Sequence, residues 1–346
     1  MEHLFSNYML KGHVIRNRIV MAPMEFLVRE TRNGFVNDGH LEHYGKRAEG
    51  GVGLIIIEAT SIHPNSLSID SQLGAWSDEH IVGLRSLANV CHSYGARVLL
   101  QLQHLGIKMH ASNNQDVYGP SEYDGNDIYA RSMTINELHQ LQDAYVKAVL
   151  RAYQAGFDGV EFHGAHGYLL NQFTSSEVNQ RSDKYGGNTE NRLRFVKEII
   201  NRVKHEVSER FIQSYRLGFN EPTLEAGIDI AVRLEAMGID MLHVSSSGFS
   251  SNRPELPDQF VYNWVIYGGS QIKRHVNIPV IVVYNIRTPE RANDILKQGY
   301  SDFTAIGREL IVDHEWANKA LNGEEINYCV RCQPCVVFAG ERCIML

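Results

Sequence analysis

The sequence has no long hydrophobic run and no excess of positive charge, and these two absences exclude whole classes of protein. No stretch approaches the roughly 20 apolar residues that a membrane-spanning helix needs, and residues 1–18 lack the apolar segment of a secretory signal peptide. The net charge of −7 offers no global electrostatic footprint for nucleic acid. We therefore expect a cytoplasmic protein with neither a membrane nor a nucleic-acid partner.

Cysteine is also scarce until the end of the chain. Cys91 stands alone in the first 328 residues, whereas four cysteines lie within the last eighteen, at positions 329, 332, 335 and 343. This distribution argues against the disulfide framework of a secreted protein. No low-complexity linker divides the 346 residues either. The sequence therefore indicates one domain, residues 1–323, followed by a short Cys-containing C-terminal tail, residues 324–346.

What is present is a regular alternation of strand-like and helix-like patterns. Apolar runs typical of buried strands occur at about 18–23, 52–58, 97–102, 158–163, 211–217, 240–245, 278–283 and 302–306. Helical patterns lie between and after them, at about 38–50, 78–95, 135–156, 189–208, 225–238, 260–275, 289–298 and 315–322. Eight β-then-α units predict an α/β fold, a (β/α)8 TIM barrel. Residues 106–132 form the longest stretch without a pattern, and we expect a structureless lid or binding loop there.

The most informative stretch is DGVEFHGAHGY at residues 158–168, because it brings two imidazoles and a phenol to the end of one strand. Active sites of barrels lie at the carboxyl ends of the strands. Neutral imidazoles at His163 and His166 can hydrogen-bond a substrate carbonyl, and the Tyr168 phenol, with an ordinary pKa near 10, can donate a proton. The alternative is a pair of loop histidines with a purely structural role.

Other strand ends supply groups for a flat, phosphorylated ligand. The Gln101 amide can donate and accept toward a heterocycle with an imide edge. Arg216 is a permanent cation on a strand that should be buried, so it needs an anion. That anion is either Glu161 or a cofactor ring that gains negative charge on reduction. Gly307-Arg308 after the eighth strand, with Asn285 after the seventh, suits a phosphate.

These residues belong to segments that resemble the Old Yellow Enzyme family of FMN-dependent ene-reductases, over nearly all of residues 4–320. The matching segments are NRIVMAPM at 17–24, GVGLIIIE at 51–58, WSDEH at 76–80, HGAHGYLLNQF at 163–173 and NQRSDKYGGNTENR at 179–192. The resemblance implies an FMN-dependent NAD(P)H oxidoreductase that reduces the C=C bond of α,β-unsaturated carbonyl compounds by ping-pong hydride transfer. NADH or NADPH would be the reductant, and an enone-type small molecule the substrate.

The resemblance also implies roles for individual residues. His163 and His166 match the pair that holds the substrate carbonyl, and Tyr168 matches the proton donor. Gln101 matches the flavin pyrimidine contact, and Arg216 the cation beside the ring edge that becomes anionic. The remaining cofactor-binding positions are Ala22, Pro23, Met24, Glu25, Ala59, Tyr284, Asn285, Ile306, Gly307 and Arg308.

The chain departs from the family pattern at several positions around this site. Glu25 stands where relatives place a Cys or Thr that adjusts the flavin potential, and a carboxylate there would disfavour an anionic reduced ring. Leu27 replaces a Tyr that binds substrate in some relatives, Ile107 replaces an Arg, and Tyr284-Asn285 replaces a Gly-Gly pair. Redox tuning and substrate preference are therefore not carried over.

The C-terminal tail leaves several alternatives open. Cys329, Cys332, Cys335 and Cys343 resemble the iron-sulfur segment of the dienoyl-CoA reductase branch, but the spacing differs and spacing constrains ligand geometry. We expect no metal there; an iron-sulfur cluster, a zinc site or a subunit contact are the alternatives. A homo-oligomer is possible, in which Arg331 or Arg342 reaches a neighbour's pocket.

Two other functions compete with the leading one. The first is a metal-dependent barrel hydrolase or aldolase in which His163, His166 and His104 are ligands. The second is a non-catalytic flavin-binding protein whose turnover is abolished by Glu25 and the altered loop.

Overall fold

Eight parallel strands form a closed barrel in the computed structural model. The model describes residues 1–25, 33–69, 71–109, 116–125, 128–333, 335 and 343–345, so Leu27 and Arg342 lie outside the described residues. The barrel strands are β1 (Ile19–Met21), β2 (Leu54–Ser61), β3 (Arg97–Gln103), β4 (Gly159–Gly164), β5 (Ile212–Gly218), β6 (Met241–Ser245), β7 (Val280–Val282) and β8 (Phe303–Ile306). Pairing of β8 with β1 closes the barrel. All eight predicted strands and the predicted (β/α)8 fold are confirmed.

Helices follow the strands and cover the outside of the barrel. They are α1 (Asp38–Glu49), α2 (His80–Ser93), α3 (Ile135–Gln154), α4 (Leu169–Thr174), α5 (Thr189–Val203), α6 (Leu224–Met237), α7 (Trp264–Lys273), α8 (Pro289–Lys297), α9 (Arg308–Val312) and α10 (Trp316–Asn322). Their starts follow from local chemistry. Thr134 and Glu137 form a capping box at α3, and Thr288 caps α8 with Pro289 in its first turn. Among the described residues, no helix is long and apolar enough to cross a membrane.

The core has two apolar layers, which explains why polar side chains collect at only one end of the barrel. One layer lies between strands and helices, and the other fills the barrel interior with residues such as Leu54, Ile212 and Phe303 near the strand starts. An antiparallel hairpin, Tyr8–Leu10 with His13–Ile15, packs against this interior layer. The amino ends of the strands are therefore covered by apolar side chains, and the carboxyl ends remain for a site.

The prediction that residues 106–132 lack structure is wrong. The segment contains a short 3-10 helix, Gly106–Lys108, and a three-stranded sheet of Tyr118–Gly119, Tyr123–Gly125 and Ile128–Ser132. Strands of two to five residues are too short to give a hydrophobic period. Tertiary contacts hold them instead: Arg181 Nη1 donates to the backbone oxygens of Pro120 and Met133, both at 2.7 Å.

Candidate active site

The two imidazoles and the phenol predicted from the sequence lie together at the carboxyl end of β4, with His163 in the strand and His166 and Tyr168 just after it. His163 Nε2 and His166 Nδ1 are 3.3 Å apart. The rings of His163 and Tyr168 meet edge to face with their centroids 4.8 Å apart. Burial lowers the pKa of both histidines well below the usual value, and each imidazole also feels the positive charge of Arg216. Both rings are therefore neutral near pH 7.

A tight turn carries His166, and three side chains hold that turn from outside. His166 and Gly167 both have left-handed backbone conformations, with φ of 58° and 77°. Asn171 Oδ1 accepts a hydrogen bond from Gly167 N–H at 2.8 Å, and Gln172 Nε2 donates to Gly167 O at 2.9 Å. Lys108 Nζ donates to His166 O at 2.7 Å. These bonds fix a conformation that a non-glycine residue such as His166 rarely adopts.

The hydrogen bonds around the imidazoles constrain where their protons sit. Ala165 N–H donates to His163 Nδ1 at 3.4 Å, so neutral His163 carries its proton on Nε2, the atom that faces His166. His166 Nε2 lies 2.7 Å from Ser245 Oγ. Arg216 Nη2 donates to the same hydroxyl at 3.3 Å. Ser245 can still either accept from His166 or donate to it, so this hydroxyl permits both tautomers of His166.

A buried polar layer lies one step deeper in the barrel and is built on Glu161. Gln101 Nε2 donates to Glu161 Oε1 at 2.7 Å, while His243 Nδ1 lies 3.0 Å from Glu161 Oε2. Within the part of the chain that the structure describes, Arg216 forms no ion pair, so the alternative of a direct Arg216 to Glu161 bridge is wrong. Glu161 is held instead by Gln101 from β3 and His243 from β6, and it acts on Arg216 through its charge alone.

Two features of this layer match the predicted heterocycle. Arg216 is only 6% exposed, and its Nε has no hydrogen-bond partner. Burial lowers the pKa of Arg216, and the nearby Glu161 carboxylate opposes this through its charge without a direct ion pair. A ligand that brings negative charge into direct contact would stabilise the guanidinium further. The bond from Gln101 Nε2 to Glu161 orients the amide and leaves the amide oxygen as an acceptor.

The first and last strands bring the remaining predicted residues to the same end of the barrel. Ala22 N–H donates to Ile306 O at 2.9 Å, which aligns the exits of β1 and β8. A Cβ on Gly307 would lie 2.8 Å from Met24 Sδ, so the segments after β1 and β8 pass close to each other. In the loop after β7, Tyr284 and Asn285 have left-handed φ values of 91° and 59°. The loops after β7 and β8, which carry Tyr284, Asn285, Gly307 and Arg308, form a cradle that fits the phosphate end of a nucleotide.

Glu25 and Ala59 are tied together through a short network. Ala59 O accepts from Gln72 Nε2 at 2.8 Å, and the Gln72 Oε1 atom accepts from Ser68 N–H at 2.8 Å. Ser68 Oγ then donates to Glu25 Oε1 at 2.6 Å. Burial raises the pKa of Glu25. The pKa of Tyr168 is raised as well, by burial first and then by the Glu25 carboxylate.

The structure gives no support to the metal-site alternatives. Among the described residues, no three His, Cys, Asp or Glu side chains gather as they would around a metal ion. His104 does not join His163 and His166; its ring stacks on Tyr118 with centroids 5.8 Å apart. In the tail, Cys329 is buried and the other three thiols are half-buried. That the cysteines bind no metal stays a prediction.

A model of the NADH:flavin oxidoreductase / NADH oxidase family matches residues 3–327. The chain belongs to this family. An NADH oxidase of Thermoanaerobacter brockii is 41% identical over 95% of this chain, which spans 52% of the length of that relative. An NADPH dehydrogenase of Clostridium acetobutylicum is 36% identical, with 89% of this chain and 91% of the relative covered.

A solved structure supports the family that the sequence resembles. The old yellow enzyme homologue from Zymomonas mobilis superimposes with a TM-score of 0.79, at 27% identity, over 94% of each chain. The resemblance to the Old Yellow Enzyme family is therefore confirmed, and with it the expectation of FMN and a nicotinamide as the cofactors of the family. The roles of individual residues stay predictions.

The sequence analysis assigned no role to three side chains that lie at the same end of the barrel as the candidate site. Ser245 was visible in a run of three serines at the end of β6, but nothing in the sequence pairs it with His166. Lys108 directly follows Ile107, the position of a departure, yet its contact with His166 O comes from folding. Gln103 was not singled out either; it is buried near the end of β3, and neither atom of its amide has a partner within the described chain.

Proposed function

We propose that this protein is an FMN-dependent oxidoreductase that uses NADH or NADPH to reduce the C=C bond of α,β-unsaturated carbonyl compounds. One observation carries the proposal: two neutral imidazole nitrogens, His163 Nε2 and His166 Nδ1, face each other at 3.3 Å beside the Tyr168 ring. A carbonyl oxygen has two lone pairs and can accept from two such donors at once.

The flavin would be held by residues from five of the eight strand ends. Arg216 and the Gln101 amide oxygen suit the polar edge of the ring, Met24 and Ala59 its apolar surface, and Arg308 the phosphate. When bound, FMN supplies ping-pong hydride transfer, accepting hydride from the nicotinamide and passing it to the β-carbon of the substrate.

The histidine pair activates the substrate through its carbonyl. When Ser245 accepts from Arg216 and donates its own proton to His166 Nε2, neutral His166 carries its proton on Nδ1. His163 already carries its proton on Nε2. Two N–H groups then point toward the same space, and they stabilise the negative charge that develops on the carbonyl oxygen as an oxyanion hole does.

Tyr168 completes the reaction by giving its phenolic proton to the α-carbon. Its raised pKa keeps the phenol protonated near neutral pH, as a proton donor must be. The tyrosinate that forms regains its proton from solvent. Hydride at the β-carbon and a proton at the α-carbon together account for the two hydrogens added to the double bond.

The test is to follow the two half-reactions of Tyr168→Phe separately by stopped-flow absorbance. We expect flavin reduction by NADH or NADPH to be nearly unchanged, and reoxidation by an enone to slow by about 10²- to 10⁴-fold, the usual contribution of a general acid. Tyr129→Phe is the matched control, since Tyr129 is 65% exposed in the small sheet.

Three outcomes would count against the proposal. Equal slowing of both half-reactions would remove the assigned role of Tyr168. A wild-type protein that binds FMN but is reduced by neither nicotinamide would favour the non-catalytic alternative. A colourless protein without affinity for FMN would exclude the flavin altogether.

A further inference from the structure

The C-terminal tail returns from α10 to the end of the barrel that holds the proposed phosphate cradle. Asn327 N–H donates to Asp313 Oδ2 at 2.9 Å. Cys329 N–H then donates to Glu309 Oε2 at 2.7 Å, in α9 directly after Arg308. Arg287, in the segment after β7, donates through Nη2 to Cys329 O at 2.8 Å. The peptide groups of Cys329 thus attach the tail to the segments that follow β7 and β8.

The two side chains that hold the tail also neutralise each other's charge. Arg287 Nε and Glu309 Oε1 form an ion pair at 2.8 Å. Glu309 is only 5% exposed, and Arg287 is its ion-pair partner in the described chain. Its carboxylate binds Arg287 and the backbone of the tail, and it forms no ion pair with Arg308 or Arg331 in the described chain.

Two residues after Cys329, the side chain of Arg331 contacts the loop after β7. Its backbone is left-handed, with φ of 58°, and its N–H donates to Cys329 Sγ at 3.4 Å. Its guanidinium donates through Nη2 to Asn285 Oδ1 in the loop after β7. The sequence analysis named Arg331 as a residue that could reach a neighbour's pocket; within its own chain, it contacts Asn285.

Two arginines therefore lie at the loops after β7 and β8 without a carboxylate partner in the described chain: Arg331 bonds Asn285, and Arg308 begins α9 directly after Gly307. Among the residues that the structure describes, neither Arg308 nor Arg331 takes part in an ion pair. An exposed side chain such as Arg331 is ordinarily free to turn into solvent, but here it bonds a residue of the cradle. Guanidinium groups in this arrangement recognise a phosphate through charge-assisted hydrogen bonds.

We propose that Arg331 binds the phosphate of FMN, so that the C-terminal tail is part of the cofactor site. The inference rests on the proposed flavin function, and it adds a residue from outside the eight barrel units. Arg331 is a binding residue here, and it has no part in hydride or proton transfer. Its effect should appear only with a flavin that carries the phosphate.

The test compares FMN with riboflavin, which has the same ring and no phosphate. Full-length protein freed of flavin is titrated with each, and the quenching of flavin fluorescence gives the dissociation constant. For Arg331→Gln we expect FMN binding to weaken about tenfold, the usual worth of one charge-assisted bond, and riboflavin binding to stay unchanged. Arg331→Lys should recover part of the loss, since it restores the charge without the planar fork.

Arg274→Gln is the control, because it removes an exposed cation of α7's C-terminal end that hydrogen-bonds only through Gln271 in the described chain. An Arg331→Gln protein that binds FMN as tightly as wild type would overturn the inference and leave the flavin function standing. Equal weakening of FMN and riboflavin would also overturn it, because the loss would then be structural. A wild-type protein that binds neither flavin would refute the proposed function itself.

Discussion

Ser245→Ala should slow catalysis, although Ser245 itself takes no part in the transfer of hydride or proton to the substrate. The Ser245 hydroxyl lies 2.7 Å from His166 Nε2 and accepts from Arg216 Nη2 at 3.3 Å. Alanine removes the one atom that connects these two groups. His166 then loses the partner that orients its ring and sets its tautomer, and Arg216 loses its hydrogen bond to Ser245.

The size of the effect follows from these two bonds. An ordinary buried hydrogen bond contributes about 1 kcal/mol, and one with a charged partner about 1.5–3 kcal/mol. The free energy of unfolding should therefore fall by about 2–4 kcal/mol. Of this, the bond to His166 bears on the reaction, and a loss of about 1 kcal/mol there lowers kcat/KM for the enone about fivefold.

Two measurements separate catalysis from stability. Urea unfolding followed by circular dichroism gives the stability change, and stopped-flow mixing gives the rate of each half-reaction. Reoxidation by the enone should slow, and reduction by the nicotinamide should change much less, because the histidine pair acts on the carbonyl. Ser246→Ala is the control: it removes the neighbouring hydroxyl and keeps the backbone oxygen that accepts from His166 N–H. Wild-type reoxidation in Ser245→Ala would refute the assigned role of the hydroxyl.

Three further predictions concern the surroundings of the site. Burial raises the pKa of Glu221 to about 7, so the stability it contributes is present below about pH 4.5 and is lost as pH rises through 7. Glu221→Gln should remove this loss and be more stable than wild type by on the order of 3 kcal/mol at pH 8 in urea unfolding. Parallel curves of stability against pH for the two proteins would contradict the prediction. Glu25→Gln should raise the flavin midpoint potential by tens of millivolts in a dye-coupled titration, because a carboxylate opposes an anionic reduced ring; an unchanged or lower potential would argue against it. Gly248→Ala should destabilise the fold by about 1–3 kcal/mol and slow enone reduction, because its Cβ would lie 2.0 Å from Gly167 N; wild-type values of melting temperature and rate would count against it.

The barrel itself was predictable because its signals are local. β2 is buried at all eight positions, as a strand covered on both faces must be, and its first four residues, 54–57, form a continuous apolar run in the sequence. α3 begins at a Thr134 and Glu137 capping box that is visible in the letters alone. Strands and helices of this length repeat eight times, and that count is what favours a closed barrel over an open sheet.

Errors arose where short elements depend on distant partners. The small sheet between residues 118 and 132 has strands of two, three and five residues. Arg181, about fifty residues further along the chain, donates to the backbone at both of its ends. No local period can report such a contact. The same holds for Glu161, which bonds Gln101 and His243 from two other strands and forms no direct ion pair with Arg216 in the described chain.

The sequence by itself determined the fold and the family, and it was enough to propose a reactive trio, because His163, His166 and Tyr168 lie within six residues at the end of one strand. The tertiary structure alone decided what those groups can do together. Ser245 is 79 residues from His166, and Arg331 is 46 residues from Asn285. Proton positions and the proposed phosphate contact depend on hydrogen bonds of a few ångströms between such distant residues, and only the closed barrel brings them within reach.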